Sequence, residues 1–516
     1  MDHSVIVITF AALTGPLPKT GVVVIALLAA SAILVADRRA RTAAALGALV
    51  LAPVLLLGDI WNSPQLRLVH HHPLEAAVGA LVLVGVVLVA AGVLHRWPSL
   101  VAPLAVAALP FRVPIQSGTT TANLLVPLYF VIAAGVLASV YAAFSGPDAA
   151  ATRDTEAAPA DEVIVWVQRF LALYVVVYAI QAVYSPDFEK ALQNMVFFYV
   201  PFALLYRLLR DLRWTPRLIR DCLALTAALA IVFSLIGFFE YATKTIILNP
   251  KLVVANDLHT YFTVNSVFFD PDIFGRYLAI VMILLAGTLI YERPQREQAA
   301  VAVVLAVLWG CLVLTLSRSS LGALLVGLAV LAALRFRPSR ALAVALVVIA
   351  VGALAVAVSP TTFGLNQGVN GASSGRGGLV SGGVSLFGHR PVWGYGSGSF
   401  VKEYRSHNRH TATTLSASHT IPITIAAEQG LIGELVYLAF VIAAIVVLVR
   451  RARGDPVRSA VAAAFLALVF HSMLYADFFE DPTTWVLLGV GVALAVARQQ
   501  PRLADERRDV AYSGVV

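Results

Sequence analysis

Long apolar runs, separated by short polar intervals, dominate the chain. The runs are about 16–24 residues long, which is the length that a helix needs to cross a bilayer. The pattern predicts fifteen spans, at residues 21–36, 43–60, 75–95, 99–112, 123–145, 163–184, 189–208, 218–241, 273–291, 298–316, 319–334, 341–358, 421–449, 459–476 and 482–497. A further run at 4–14 is too short to count as a span. We therefore expect an all-α polytopic membrane protein with about 12–15 transmembrane helices.

Arginine clusters between the spans indicate how the chain is oriented. If the spans alternate, nearly every dense cluster falls on one face, including those at 38–41, 207–220, 335–340 and 450–458. The positive-inside rule predicts that this face is cytoplasmic. The resulting division is a transmembrane bundle at 1–358 with a cytoplasmic linker at 146–162, a large extracytoplasmic loop with short helices at 359–420, C-terminal transmembrane helices at 421–498, and a cytoplasmic tail at 499–516.

Composition supports this interpretation and excludes a set of soluble domains. Hydrophobic residues make up 59% of the chain, charged residues make up 13%, and the mean hydropathy is +0.84. A net charge of +8 could indicate nucleic-acid binding in a soluble protein. Here cytoplasmic anchoring explains it better, so no nucleic-acid partner is expected. The opening residues lack a cationic segment, so a cleaved signal peptide is not expected, and Cys222 and Cys311 lie in apolar runs that predict neither a disulfide nor a metal site.

The longest polar interval, Ser374 to Gly433, is the first candidate for function. It is rich in cations and histidines, and up to its return to the membrane it carries one acid, Glu403. A long loop between apolar helices is more often functional than a simple connection. We therefore expect this extracytoplasmic loop to carry the chemistry.

Arg318, in the short turn LTLSRSSLG, is a cation on the face that otherwise avoids cations. It could be a snorkelling arginine at a helix end. Alternatively, Ser317, Ser319 and Ser320 could cap the following helix, which would leave amide groups and the arginine facing an anion.

Within the loop, the basic residues have two interpretations each. Arg376 follows a Gly/Ser tract and is either a solvated charge or an anion ligand. Arg405 and Arg409, with the histidines at 407 and 410, form a basic group that could equally be an ordinary soluble surface.

His419 lies where the loop returns to the membrane, in the segment SASHTIPITI. An imidazole there could act as a base or a hydrogen-bond donor, or it could be an interfacial histidine bonded to backbone. Nine residues further on, Glu428 lies in an apolar stretch, where an unpaired carboxylate costs a few kcal/mol. Such a group needs a partner or a role.

The glycines in PVWGYGSGSF do not fit a nucleotide-binding loop, because neither a strand nor a suitably placed helix flanks them. Tight turns around Trp393 and Tyr395 are expected instead, with the aromatic rings available for a sugar or for the interface. The histidines lack zinc-ligand spacing. Asp257, Asp270 and Asp272 are the only candidate metal ligands, and they could equally be turn and cap residues.

Five segments together resemble the O-antigen ligase and polymerase superfamily. They are SGR (374–376), HRPVWGYGSGSF (389–400), SHTIPITIAAEQGLIG (418–433), LTLSRSSLG (314–322) and VFFDPDIFGRYL (267–278). The resemblance covers roughly residues 190–450. Two positions depart from the family pattern, since Thr420 and Asp272 stand where the family has asparagine.

The resemblance implies a membrane glycosyltransferase that moves a glycan from a polyprenyl-diphosphate carrier to an acceptor hydroxyl. The acceptor could be a glycan, a lipid or a wall polymer, and the reaction would occur at the outer face of a bacterial cytoplasmic membrane without metal or cofactor. Arg318 and Arg376 would bind the diphosphate, and Arg405 and Arg409 are further candidates for it. His419 would activate or orient the acceptor.

Glu428 and Trp393 complete the predicted substrate site, the first by positioning a helix or the imidazole, the second by stacking on a sugar. Two other classes of protein remain possible from the sequence. A transporter or flippase of lipid-linked glycans would need charged residues near the middle of the membrane, and Arg169 and Glu240 lie near span ends. A membrane scaffold would bind a partner through the loop.

Overall fold

The structure, a computed structural model, describes residues 16–59, 61, 70–117, 120–145, 162–248, 252–253, 256, 262–290, 294–336, 339, 376–407, 419–475 and 477–497. Several predictions therefore lie outside the described residues. They are the run at 4–14, nearly all of the linker 146–162, the span at 341–358, the loop residues 359–375 and 408–418 with Arg409, Asp257, and the tail 499–516.

Helices form most of the described chain. In chain order they are α1 (Leu17–Leu34), α2 (Arg38–Asp59), α3 (Pro73–Arg96), α4 (Val101–Ala108), α5 (Val126–Phe144), α6 (Glu162–Ala182), α7 (Phe188–Asp211), α8 (Pro216–Thr243), α9 (Pro271–Leu289), α10 (Gln295–Leu314), α11 (Arg318–Arg335), α12 (Arg376–His389), α13 (Phe400–His407), α14 (Ile421–Val449), α15 (Pro456–Ser472) and α16 (Pro482–Ala497). Eleven helices among the described residues are long and apolar enough to cross a membrane. The predicted all-α polytopic fold is confirmed.

One predicted span has a different form. The stretch 99–112 contains only the eight-residue α4, about 12 Å long, because Pro110 cannot continue the helix. An antiparallel hairpin follows, with β1 at Val113–Ser117 and β2 at Thr120–Leu124, in which Val113 pairs with Leu124. The sequence analysis did not predict this hairpin.

Several helices begin with the same two-residue signal, a capping side chain followed by proline. Asp270 precedes Pro271 at α9, Asp455 precedes Pro456 at α15, and Thr215 precedes Pro216 at α8. In each case the side chain accepts a hydrogen bond from a backbone amide of the first turn. Proline at the first helical position gives up no hydrogen bond, so these starts are well defined.

Helices α9, α11 and α15 pack together in the interior, and α14 packs on α6 and α15. Small residues let the backbones approach, since a Cβ atom added at Gly287 of α9 would lie 2.6 Å from the Cβ of Ala460 on α15. By contrast, the apolar side chains of α3 are mostly exposed, as expected for a helix that faces lipid. The tight packing brings the starts of α9 and α11 beside the end of α15.

Candidate functional site

A cluster of buried serines surrounds a carboxylate where α9 and α11 begin. The hydroxyls of Ser317 and Ser319 donate to Asp272 Oδ1 at 2.5 Å and 3.0 Å, and Ser320 Oγ donates to the Asp272 carbonyl oxygen at 3.2 Å. All three serines are buried. We call these four residues the serine–aspartate cluster, and it joins the amino-terminal ends of two transmembrane helices.

Arg318 is the first residue of α11 and lies between the serines of this cluster. Its side chain is exposed. Ser317 caps the helix by accepting a hydrogen bond from the Ser320 amide at 3.3 Å, so the predicted cap is confirmed. An anion placed here would meet the guanidinium and the positive end of the helix dipole together.

A second carboxylate, Asp270, links this cluster to the connection between α15 and α16. Tyr475 donates from its hydroxyl to Asp270 Oδ2 at 3.0 Å. Burial raises the pKa of Asp270 above its ordinary value, and the neighbouring Asp272 carboxylate raises it further. His471, at the end of α15, places Nε2 3.3 Å from Ser320 Oγ. The end of α15 and the turn that follows it therefore contact Asp270 and Ser320.

His419 lies at the edge of the same group, directly before α14. Its ring centroid is 5.9 Å from that of Tyr475, and Thr420 Oγ1 donates to the Met473 carbonyl oxygen at 3.1 Å. The backbone of His419 is left-handed, with φ of 59°. This turn carries the imidazole from the polar loop to the Tyr475 side of the bundle. Tyr475, Asp270 and Asp272 thus form one polar centre between the turn at His419 and the start of α11 at Arg318.

A buried ion triad lies one turn below Asp272. The Arg276 guanidinium is 2.9 Å from Asp477 Oδ2 and 2.8 Å from Asp481 Oδ2, and its side chain is only 4% exposed. Removing one member of such a group leaves an uncompensated buried charge. The triad therefore fixes the α15–α16 connection, and with it Tyr475, against α9. These residues were not predicted from the sequence. An arginine inside an apolar span nevertheless indicates a buried polar contact.

Arg376 begins α12, and the backbone shows at which end of the site it lies. Gly383 of α12 packs against Ile423 of α14, and eight residues later the Pro391 carbonyl oxygen accepts from the Leu431 amide at 2.7 Å. The two segments therefore run in the same direction. Arg376 precedes Gly383 by about 10 Å of helix, so it lies at the same end of this pair as His419.

Helix α14 is broken at Gly430, and backbone groups of the polar loop form hydrogen bonds with the backbone of α14 on both sides of the break. The amides of Leu431 and Ile432 donate to the carbonyl oxygens of Pro391 and Val392 at 2.7 Å and 3.4 Å. In the other direction, the amides of Tyr395 and Gly396 donate to the carbonyl oxygens of Ala427 and Glu428 at 3.2 Å and 2.7 Å. A broken transmembrane helix is tolerated where other parts of the protein satisfy its backbone. The loop is thus a structural part of the bundle.

Gly430 has φ of 64° and ψ of −163°, a conformation that is essentially restricted to glycine. A Cβ atom there would lie 2.4 Å from the Val392 carbonyl oxygen. We expect Gly430→Ala to lower the free energy of unfolding by at least about 2 kcal/mol. Thermal unfolding in detergent measures this. Gly388→Ala on α12, where nothing lies within 4 Å, is the control, and equal unfolding temperatures for the two variants would contradict the account.

Glu428 is buried and binds the loop through both of its carboxylate oxygens. Oε2 accepts from the Gly398 amide at 2.8 Å and Oε1 accepts from the Phe400 amide at 3.0 Å. Phe400 begins α13, so the carboxylate holds the amino-terminal end of this helix. Its observed contacts are those of a positioning residue, and the substrate contact proposed from the sequence remains a prediction.

The glycines of this loop form the tight turns that the sequence predicted. Gly394, Gly396 and Gly398 have φ between 66° and 104°. Cβ atoms at Gly396 and Gly398 would lie 2.5 Å from the Ser185 Cα and 2.9 Å from the Ala191 amide nitrogen. The loop therefore lies directly on the backbone between α6 and α7.

The remaining predicted substrate residues lie on the outer side of this loop. Trp393 is 60% exposed, and its carbonyl oxygen accepts from the Tyr184 hydroxyl at 2.6 Å. Arg405 is exposed on α13. Both residues are exposed, in contrast to the buried serines of the serine–aspartate cluster.

Among the described residues, no three His, Cys, Asp or Glu side chains are grouped so that they could hold a metal ion. Asp270 and Asp272 act instead as cap and hydrogen-bond acceptor at the start of α9. The arrangement offers an arginine at a helix amino terminus, an imidazole about the same centre, and a rigid polar support. Such a site can neutralise an anionic leaving group while a base receives a proton.

Comparison with known protein families finds one family model that matches part of the chain. Residues 302–438 match the family model described as O-antigen ligase. The matched stretch contains Arg318, Arg376, His419 and Glu428, and it ends inside α14. No curated protein matches the chain.

Proposed function

We propose that this chain transfers a glycan from a polyprenyl-diphosphate carrier to an acceptor hydroxyl, and the match of residues 302–438 to the O-antigen ligase family model supports this proposal. In this reaction the acceptor oxygen bonds to the anomeric carbon and its proton leaves. The bond between the anomeric carbon and the diphosphate breaks, and the diphosphate departs with the electron pair.

Arg318 and Arg376 bind the departing diphosphate in this proposal. Negative charge accumulates on the leaving group in the transition state, and guanidinium groups bind phosphate oxygens in a bidentate manner at any physiological pH. Arg318 adds the end of the α11 dipole to its own charge. Preorganised cations of this kind can lower the barrier by several kcal/mol.

His419 receives the proton of the acceptor hydroxyl. The left-handed turn at this residue and the anchor from Thr420 to Met473 hold the imidazole at the end of the bundle where Arg318 lies. The triad of Arg276, Asp477 and Asp481 supports this geometry from below. The observation that carries the proposal is this convergence, because residues that are distant in sequence meet around one polar centre.

The reaction takes place at the outer face of a cytoplasmic membrane in this proposal. The support is the uneven distribution of arginines, because the end of α11 opposite to Arg318 carries Arg335 and meets a basic cluster through Arg453, which donates to the Ala333 carbonyl oxygen at 3.5 Å. An 18-residue helix is about 27 Å long and reaches across the hydrocarbon core. The positive-inside rule assigns the Arg335 end to the cytoplasm.

Deletion of the gene in its own host tests the function. We expect the acceptor-linked glycan to disappear while the lipid-linked donor accumulates on the outer leaflet, where an impermeant lectin labels it on intact cells. If the chain were a flippase, the donor would accumulate on the inner leaflet and would be labelled only after lysis. That outcome would contradict the proposal.

We also propose that transfer needs no metal ion, because the arginines supply the positive charge that a divalent cation supplies in many other transferases. Purified protein treated with EDTA should retain transfer within about twofold of the untreated rate. A metal-dependent glycosyltransferase in the same assay serves as the control for chelation. Loss of transfer that Mg²⁺ or Mn²⁺ restores would contradict this prediction.

A further inference from the structure

A polar cavity lies at the opposite end of the bundle from the proposed reaction. Its volume is about 500 Å³, and it lies between the ends of α2, α3, α5 and α7. Arg38, Arg41 and Arg207 line it together with one acid, Asp211. His95 also lines the cavity, and with its imidazole neutral the lining side chains carry a net positive charge. The cavity is therefore suited to an anion.

Two of these arginines are held inside the protein. The Arg207 side chain is 11% exposed and lies 2.7 Å from Asp211 Oδ2, while Arg41 is 21% exposed and lies 3.7 Å from the same oxygen. The buried Nε of Arg207 has no hydrogen-bond partner among the described residues. A buried guanidinium N–H without an acceptor is costly, and an anionic oxygen in the cavity would satisfy it.

The rest of the cavity wall is mainly apolar. Leu94, Val101, Val136 and Leu208 lie beside the arginines. Because the cavity is at the ends of membrane-spanning helices, the arginines lie near the level of phospholipid headgroups, and Val136 and Leu204 lie further along α5 and α7 towards the middle of the membrane. This combination fits an amphipathic anion better than a free one.

We propose that this cavity binds the phosphodiester headgroup of an anionic glycerophospholipid from the leaflet on the arginine-rich face. Arg41 and Arg207 hold the phosphate, and the apolar wall packs against the glycerol and the first part of the acyl chains. The site is separate from the proposed transfer reaction and does not depend on it.

Native mass spectrometry of the full chain, released from nanodiscs of mixed phosphatidylglycerol and phosphatidylcholine, tests the proposal. The wild type should retain phosphatidylglycerol in preference to phosphatidylcholine. R41Q/R207Q should lose about 25-fold in affinity for phosphatidylglycerol, at about 5-fold for each arginine. Equal retention of phosphatidylglycerol by this variant would overturn the proposal.

The matched control is R217Q/R220Q. It also removes two arginines from the same face, and it likewise leaves one aspartate, Asp221, nearby, but its arginines are 85% and 72% exposed. The control variant should retain the lipid as the wild type does. An equal loss of lipid in R41Q/R207Q and R217Q/R220Q would show a general effect of charge and would overturn the proposed site. Inorganic phosphate at millimolar concentration should not displace the lipid. Complete displacement would show a site for free anions.

A second measurement needs no variant and stays informative if R41Q/R207Q does not fold. A phosphatidylglycerol analogue with a photoreactive headgroup should label peptides from 38–45 and 204–212 of the wild type. A phosphatidylcholine analogue should label them at least about 5-fold less. Labelling that is absent from both peptides, or equal for the two lipids, would overturn the proposal.

Discussion

Arg318→Ala should lower kcat for glycan transfer about 10²–10³-fold, because it removes the cation that we place on the departing diphosphate. The charge of the leaving group grows as the reaction proceeds, so the loss should fall mainly on kcat and less on KM. Arg318→Lys keeps the charge but cannot bind two oxygens in a bidentate manner, and it should recover only part of the rate. The rate of transfer from a purified lipid-linked donor should be measured for the wild type, Arg318→Ala and Arg318→Lys.

Arg335→Ala is the matched control for this prediction. Arg335 terminates the same helix, is exposed, and donates to the Ile290 carbonyl oxygen at 3.3 Å. Its removal should leave kcat within about twofold of the wild type, since it lies about 27 Å from the proposed site. If Arg318→Ala also kept a normal kcat in a folded protein, its assignment to the diphosphate would be wrong.

His419→Asn should lower kcat about 10²–10⁴-fold, the usual contribution of a general base. Asparagine is chosen because it tolerates the left-handed backbone that His419 adopts. The variant should therefore fold, and its unfolding temperature should match that of the wild type. The pH dependence distinguishes a base from a structural residue, because the fall in kcat/KM at low pH that a general base predicts for the wild type should be absent in the variant.

His389→Asn serves as the comparison. This histidine ends α12, is exposed, and bonds through Nδ1 to the Ser385 carbonyl oxygen at 2.7 Å. Both its turnover and its pH profile should match the wild type. A low-pH fall that persists in His419→Asn would show that another group accepts the proton.

Local sequence signals predicted much of the fold. The apolar runs gave the transmembrane helices, and Ser317 was recognised as a cap from the residues beside it. The glycines at every second position around Tyr395 predicted the tight turns that the structure contains. Each of these features depends on neighbours within a few residues, so the sequence contains the whole signal.

Features that depend on distant contacts were not predictable in this way. Arg276 meets Asp477 and Asp481 across about 200 residues, and no spacing rule connects them. Glu428 could be recognised as a buried carboxylate that needs a partner, but its partners are backbone amides at Gly398 and Phe400, which every sequence contains. The hairpin after α4 was hidden because its strands lie almost entirely in the short interval between the predicted spans 99–112 and 123–145, which has the pattern of a connecting loop.

The break in α14 at Gly430 was also not predictable from neighbouring residues. Gly430 in AAEQGLIG gave no sign of a left-handed residue inside a helix, since glycine is common in transmembrane helices. Only the structure shows that Pro391 and Val392 replace the lost helical partners of the next turn. The loop and the helix therefore have to be considered together as one scaffold for the site.

In our proposal this chain moves a glycan from a lipid carrier to an acceptor molecule. The most direct measurement uses sealed proteoliposomes that contain the purified protein, a polyprenyl-diphosphate donor labelled in its glycan, and an acceptor supplied outside. We predict that the label moves to the acceptor, that polyprenyl diphosphate is released in equal amount, and that Arg318→Ala and His419→Asn greatly reduce both products. A label that stays on the lipid carrier while the carrier moves between the leaflets would contradict the account.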